Sequence, residues 1–301
     1  MSLQLFLLDK FLRLTMKRHF QKDPDVLGLR PLMAGMTRFV LPIPRRVRVE
    51  TVDLGGVRAQ RLATADADTS RAILYLHGGG MVAGSPATHR ALTWRLADGV
   101  GAPVHAVDYR LAPEHPFPAG LDDVVTAYRA LVAGGVSEDH IVVAGDSAGG
   151  NLTFALALRL KMLGLAQPAA LVALSPGTDL FESFTSFRTN ARVDAVFDER
   201  TFATLTDHYC PNGDPNDPLI SPLRGEVAGL PPTLIQCSDD EMLRDASTRM
   251  AEKLKAAGVD VTLEVWPKVF HVWQLSADVL PEARRAIDGI VAFMKARLHP
   301  G

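Results

Sequence analysis

What this chain lacks narrows it first. Its 301 residues include two cysteines, Cys210 and Cys237. That is too few for a disulfide framework, and neither sits at a metal-ligand spacing. A reducing, cytoplasmic setting is the expectation, with no bound metal. No run of about 20 apolar residues occurs, so no membrane-spanning anchor is expected. Neither charge sign dominates: the formal net charge of −2 gives no electrostatic ground for a nucleic-acid partner. Gly-x-Gly-x-x-Gly and Walker patterns are absent, which removes the usual reading of glycines as a nucleotide cradle, and no cofactor is expected. Internal repeats and low-complexity tracts are missing as well. Against these absences, 47% apolar and 22% charged residues are ordinary for a globular chain able to bury a substantial core.

The first 45 residues read as helical. Leu3 to Leu8 is apolar apart from Gln4, and Lys10, Arg13, Lys17 and Arg18 follow, interleaved with Phe11, Leu12, Leu14 and Met16. A secretory signal would place its charge before the apolar run. This order predicts an amphipathic helix docked on the protein's own body, not on a membrane.

From about residue 46, strand and helix patterns alternate. Residues 46–54 and 57–62 form a hairpin turning at Gly55-Gly56. Strands are expected at 72–76, 104–107, 141–144, 169–174, 233–237 and 261–266, with helices over 86–98, 121–131, 151–163, 243–257 and up to about 297. An antiparallel entry followed by βαβ units predicts an α/β fold: a mostly parallel eight-stranded sheet with helices on both faces. Residues 178–228 interrupt the alternation with Phe181, Phe184, Phe187, Phe197 and Phe202 and a proline-rich stretch. An insertion of this length is expected to form a lid and an acyl-pocket wall. The organisation is then a helical N-terminal segment at 1–45, an α/β domain at 46–177 and 229–301, and an insertion at 178–228.

Chemistry concentrates at Gly145-Asp-Ser147-Ala-Gly149. A serine hydroxyl is a weak nucleophile until it is exposed at a sharp turn beside a base and near oxyanion donors. Small residues at 145 and 149 let the backbone double back between strand and helix. His77-Gly78-Gly79-Gly80 follows directly on strand 72–76. Glycines there leave N–H groups open to a developing oxyanion, an effect worth about 3–4 kcal/mol per donor. Gly79, Gly80 and Ala148 are the expected donors. Gly78 completes the oxyanion loop by shaping it, and His77 is expected to support that loop by hydrogen bonding. The base must come later in the chain. His208 lies in the insertion and His299 at the frayed end, whereas His271 follows strand 261–266 by a short loop, where a strand-end loop presents it to Ser147. Any of Asp239, Asp240 and Glu241, after strand 233–237, can orient that imidazole. Carboxylates before a helix also serve as caps, so two of the three are structural.

Taken with Asp108-Tyr-Arg-Leu-Ala-Pro-Glu114, Phe117-Pro-Ala119 and Asp217-Pro-Leu-Ile-Ser-Pro222, these segments make residues 75–275 resemble the bacterial hormone-sensitive-lipase family of α/β-hydrolase esterases. The resemblance implies hydrolysis of short- to medium-chain carboxylic esters, without a cofactor, beneath a cap built from residues 1–45 and 178–228. It also separates the acids. Family members often read Asp-Pro-Leu-Arg-Asp here, with the catalytic acid four residues before the second Asp and about thirty before the histidine. Both measures land on Glu241, where the family usually has Asp, and Asp240 is the rival. The Asp108–Glu114 segment is expected to stiffen the site's floor through its prolines and buried ion pairs among Asp108, Arg110 and Glu114. Two other functions share this fold: a small-molecule receptor that has lost catalysis, and an amidase or peptidase using the same triad. Retention of Ser147, the acid and His271 argues against the receptor. Pairing at the edge strand 261–266 would make a homodimer.

Overall fold

The structure is a computed structural model and describes residues 2–18, 26–37 and 41–298; His299 lies outside them. Eight strands form one sheet in the order β1-β2-β4-β3-β5-β6-β7-β8. β1 (Val47–Asp53) and β2 (Arg58–Thr64) are the predicted hairpin, and β2 also runs antiparallel to β4 (Val104–Val107). The remaining neighbours are parallel: β3 (Ala72–Leu76), β5 (Ile141–Asp146), β6 (Ala170–Leu174), β7 (Thr233–Ser238) and β8 (Val261–Trp266). β8 is an edge strand, as its sequence position predicts.

The central strands are buried on both faces, which is why they read as continuous apolar runs instead of alternating ones. Alternate side chains feed two cores. Leu74, Leu76, Val143 and Leu171 point to the side covered by α4 (Ala119–Ala133), α5 (Ala148–Met162) and α8 (Arg244–Ala256). Ile73, Tyr75, Val142 and Val172 point to the side covered by α3 (Arg90–Val100) and α9 (Pro281–Leu298). Because parallel strands share one polarity, the loops after β3, β5, β7 and β8 emerge at the same end of the sheet, and that end carries the chemistry.

The elements outside the sheet are α1 (Leu3–Leu12, continued by a wider π turn to Lys17), α2 (Leu29–Met36), α6 (Thr185–Thr189) and α7 (Glu199–Tyr209). Ser2 caps α1 and also binds Glu282 of α9 through its amide and hydroxyl, both at 3.0 Å. α1 departs from the expected amphipathic helix. Its inner face buries Leu5 and Leu12, but Leu3, Phe6, Leu7, Phe11 and Leu14 are exposed on the outer face. The cause is the spacing: apolar residues occupy both sides of the helix, and only one side meets the body. Among the described residues, no helix is long and apolar enough to cross a membrane.

Leu74 lies at the centre of β3 and is fully buried. Leu74→Ala is expected to cost roughly 2–5 kcal/mol in urea unfolding, since the rigid sheet cannot collapse into the cavity it leaves.

Candidate active site

Ser147 sits between the last residue of β5 and the first of α5 at φ 53° and ψ −116°, backbone angles that an L residue adopts only under constraint. The constraint is visible on either side. A Cβ on Gly145 would lie 2.3 Å from the Gly149 carbonyl oxygen, and one on Gly149 would lie 1.9 Å from the Leu76 carbonyl oxygen. The elbow therefore passes within backbone contact of the end of β3, where only glycine fits. The Ser147 amide donates to the Leu174 carbonyl at 2.7 Å, tying the elbow to β6 as well.

His271 follows β8 after four loop residues and is buried. Its Nδ1 lies 2.8 Å from Glu241 Oε2, and Glu241 Oε1 accepts from the Ser238 amide at 3.1 Å. Burial presses the His271 pKa down, but the Glu241 hydrogen bond and charge, with Asp194 and Asp146 further off, outweigh it and hold the imidazole above its usual value. His271 Nε2 has no hydrogen-bond partner among the described residues, and the ring lines the same cavity as Ser147. The rival carboxylate is placed differently. The Asp240 amide donates to Ser238 Oγ at 3.0 Å, and its carboxyl is pushed up by partial burial and then by Asp239. The carboxylate that meets His271 is thus Glu241.

The loop after β3 carries Gly79 at φ 127° and Gly80 at φ 64°. The Gly79 carbonyl accepts from Ala83 at 2.9 Å, which fixes the turn. Gly78 proves to be committed: its amide donates to Asp146 Oδ1 at 3.1 Å and approaches His89 Nε2 at 3.2 Å. It therefore supports the loop and leaves Gly79, Gly80 and Ala148 as the candidate donors. His77 is buried, stacks on Tyr109 at 4.3 Å and places Nδ1 2.9 Å from the Gly78 carbonyl. Burial, helped by His89, pushes its pKa down to about 3, so it remains neutral.

Behind this loop lies a buried polar cluster that sequence reasoning missed. Asp146 accepts from Tyr75 at 2.6 Å and from the Gly78 amide, and pairs with His89 Nε2 at 3.2 Å. Burial disfavours both charges, yet each partner outweighs it: the Asp146 carboxyl is held below its ordinary value and the His89 imidazole above. The available signal was an aspartate ending an otherwise apolar strand; nothing in the sequence pointed to His89. The expected ion pairs among Asp108, Arg110 and Glu114 do not form. Arg110 bonds Asp123 at 2.7 Å and Glu114 bonds Arg30 at 2.6 Å, both near the surface. The turn directs these side chains toward α4 and the N-terminal segment, and desolvation raises the Asp108 pKa.

Two cavities meet at Ser147. One, of about 420 Å³, is walled by Leu180, Phe197, Phe202, Leu205 and Tyr209, with Gly80 and Ala148 at its inner end. The other, of about 730 Å³ with its mouth, is lined by Leu12, Met16, Leu29 and Met33 beside His271. Of the five insertion phenylalanines, Phe197 and Phe202 line a cavity, Phe184 and Phe187 pack into the core, and Phe181 is exposed. Among the described residues, no group of three His, Cys, Asp or Glu side chains is arranged to hold a metal ion.

The Asp146–His89 pair has a defined pH window. The raised His89 pKa contributes stability below its unfolded value near 6.5, lost as pH rises through the folded value. The depressed Asp146 pKa contributes above about 3.8, lost as pH falls through the folded value. In urea unfolding, His89→Ala is expected to cost roughly 3–5 kcal/mol between about pH 4 and 6.5, and less above that window.

Comparison with known proteins agrees with this geometry. Residues 73–275 match the α/β hydrolase fold family. An acetyl-hydrolase of Streptomyces hygroscopicus is 40% identical over 84% of each chain, and an esterase of Acinetobacter venetianus is 35% identical over 95% of this chain and 94% of its own. The crystal structure of an esterase from the bacterial hormone-sensitive lipase family superposes with a TM-score of 0.93 at 38% identity, covering 99% of both chains. That of a hormone-sensitive lipase from a metagenome library gives 0.90 at 41% identity, over 96% of this chain and 97% of its own. The eight-stranded sheet, the glycine-flanked serine and these relatives together show that the chain belongs to the α/β hydrolases, as a carboxylic ester hydrolase of the bacterial hormone-sensitive lipase family.

Proposed function

We propose that this hydrolase cleaves short- to medium-chain carboxylic esters through an acyl-enzyme on Ser147, with His271 as general base and acid and Glu241 as its orienting acid. The observation that carries the reading is the His271–Glu241 contact at 2.8 Å, with the other imidazole nitrogen left unpartnered in the Ser147 cavity. His271 takes the hydroxyl proton as Ser147 Oγ bonds to the ester carbonyl carbon. The resulting oxyanion is held by the amides of Gly79, Gly80 and Ala148. The tetrahedral adduct expels the alkoxide, which leaves as alcohol with the proton from His271. Water, deprotonated by the same imidazole, then attacks the acyl-enzyme; the acid departs and Ser147 regains its proton. The Glu241 carboxylate stabilises the imidazolium in both steps. A glutamate at this place reaches as far as the histidine requires while its second oxygen is held by the Ser238 amide.

The compartment walled by the insertion is the acyl side, and the one lined by α1 and α2 the alcohol side. On this reading the described residues of 1–45, with 178–228, form the cap over a catalytic domain of 46–177 and 229–298. Two buried free thiols fit a cytoplasmic setting. The edge strand β8, with Leu263 and Val265 exposed, is the surface for a homodimer.

Ser147→Ala is expected to lower kcat/KM for p-nitrophenyl butyrate by at least about 10⁴-fold; near-normal turnover would overturn the assignment. Glu241→Gln should cost far more than Asp240→Asn. Because Glu241 raises the His271 pKa, the wild-type acid limb of kcat/KM should lie above pH 6.5 and move to lower pH in Glu241→Gln.

A further inference from the structure

The Glu241–His271 pair does not stand on its own loops alone. The turn between α6 and α7, residues 190–197, touches it from the cap, and that turn is gripped from the far side by the N-terminal helix. We propose that Asp194 is a positioning residue for the triad, relaying the docking of the α1–π-turn segment to the backbone that carries Glu241 and to the ring that abuts His271. The proposal rests on the reading of Ser147, Glu241 and His271 as the triad.

Asp194 is buried, and three backbone donors converge on its carboxylate. Oδ1 accepts from the Val196 and Phe197 amides at 2.7 and 2.9 Å, and Oδ2 accepts from the Met242 amide at 2.8 Å. Met242 is the residue after Glu241. Phe197, the other end of the relay, sets its ring edge-on to His271 at 4.8 Å. A second strut runs parallel: Asn190 Nδ2 donates to the Asp239 and Glu241 carbonyls at 2.8 and 2.9 Å. The turn thus holds the acid's backbone at two points and the base's ring at a third.

The N-terminal segment fixes the turn in place. Lys17 Nζ donates to the Ala191 and Asp194 carbonyls, each at 2.6 Å. The Arg13 guanidinium donates to the Arg192 carbonyl at 2.8 Å and to the Val193 carbonyl, and is itself held by Asp9 at 2.8 Å. Lysine is rarely buried this deeply without a charge partner. Burial lowers its pKa, and the nearby Asp194 charge opposes that shift. Leu5 and Leu12 already supply an apolar docking face, so the buried ammonium adds directional bonds to one turn, not mere adhesion.

A carboxylate suits Asp194 because all three partners are N–H donors and both of its oxygens accept. An amide of the same shape must turn its NH₂ toward one set of donors, breaking the hold on either Met242 or the 196–197 backbone. The charge matters too. The carboxylates that act electrostatically on His271 are Glu241, Asp194 and Asp146, with the Lys17 ammonium near Asp194.

The test uses the full chain, p-nitrophenyl acetate and p-nitrophenyl butyrate, and the variants Asp194→Asn, Lys17→Met and Lys17→Arg. Asp194→Asn is expected to lower kcat roughly 10- to 100-fold with KM changed less than about twofold, as a small displacement of reacting groups does. Its acid limb should move to lower pH, one carboxylate facing His271 having been neutralised. Lys17→Met should lower kcat in the same sense, and Lys17→Arg, which can still donate to both carbonyls, should restore most of it. If Asp194→Asn does not fold, as judged by circular dichroism, the Lys17 pair decides by the same criterion. Variants that lose thermal stability but keep wild-type kcat and pH profile would overturn the proposal. Failure of the triad reading would show separately, as turnover surviving in Ser147→Ala.

Discussion

The rest of the site depends on one steric fact: the β5–α5 elbow and the end of β3 share a space in which no Cβ fits. Gly145 and Gly149 touch the Leu76 backbone, and Gly78 approaches Asp146 so closely that a Cβ there would lie 2.3 Å from a carboxylate oxygen. The serine turn and the glycine loop after β3 are therefore one packed unit with two chain origins. Their spacing is set by backbone contact, which varies far less than side-chain contact does. Electrostatic stabilisation of an oxyanion requires just such a prepaid arrangement, because donors that must move into place lose much of their effect.

Around that unit lie the buried carboxylates of Asp146, Glu241 and Asp194, and each is answered differently. Asp146 is answered by His89 and a tyrosine hydroxyl. Glu241 is answered by His271 and one amide. Asp194 is hydrogen-bonded by backbone N–H groups, with the Lys17 charge nearby. A carboxylate hydrogen-bonded by amides fixes main chain, whereas one paired with an imidazole tunes a proton affinity. The division explains how several acids can crowd a single cleft without sharing one role.

Sequence reasoning reached the parts governed by short-range rules. The strands, the hairpin at Gly55-Gly56 and the glycine-flanked Ser147 lie where their patterns predict, with ends displaced by a few residues; the helix read as starting at Pro86 begins at Arg90. The contact between His271 and Glu241 was legible because strand-end loops in a parallel sheet converge, and because family spacing separated Glu241 from Asp240. The misses are tertiary. His89 and Asp194 resemble ordinary surface residues in sequence, and only the fold brings them against Asp146 and Met242. The ion pairs expected within 108–114 fail for the complementary reason: charges close in sequence are not close in space here, because the turn sends Arg110 to α4 and Glu114 to Arg30.

The backbone of Ser147 carries a consequence of its own. A non-glycine residue at φ 53° and ψ −116° holds strain of roughly 1–3 kcal/mol that its neighbours must absorb. The fold would be at greater ease with glycine there, in a molecule without that hydroxyl. The proposed nucleophile is therefore held in place against a backbone that would sooner be glycine.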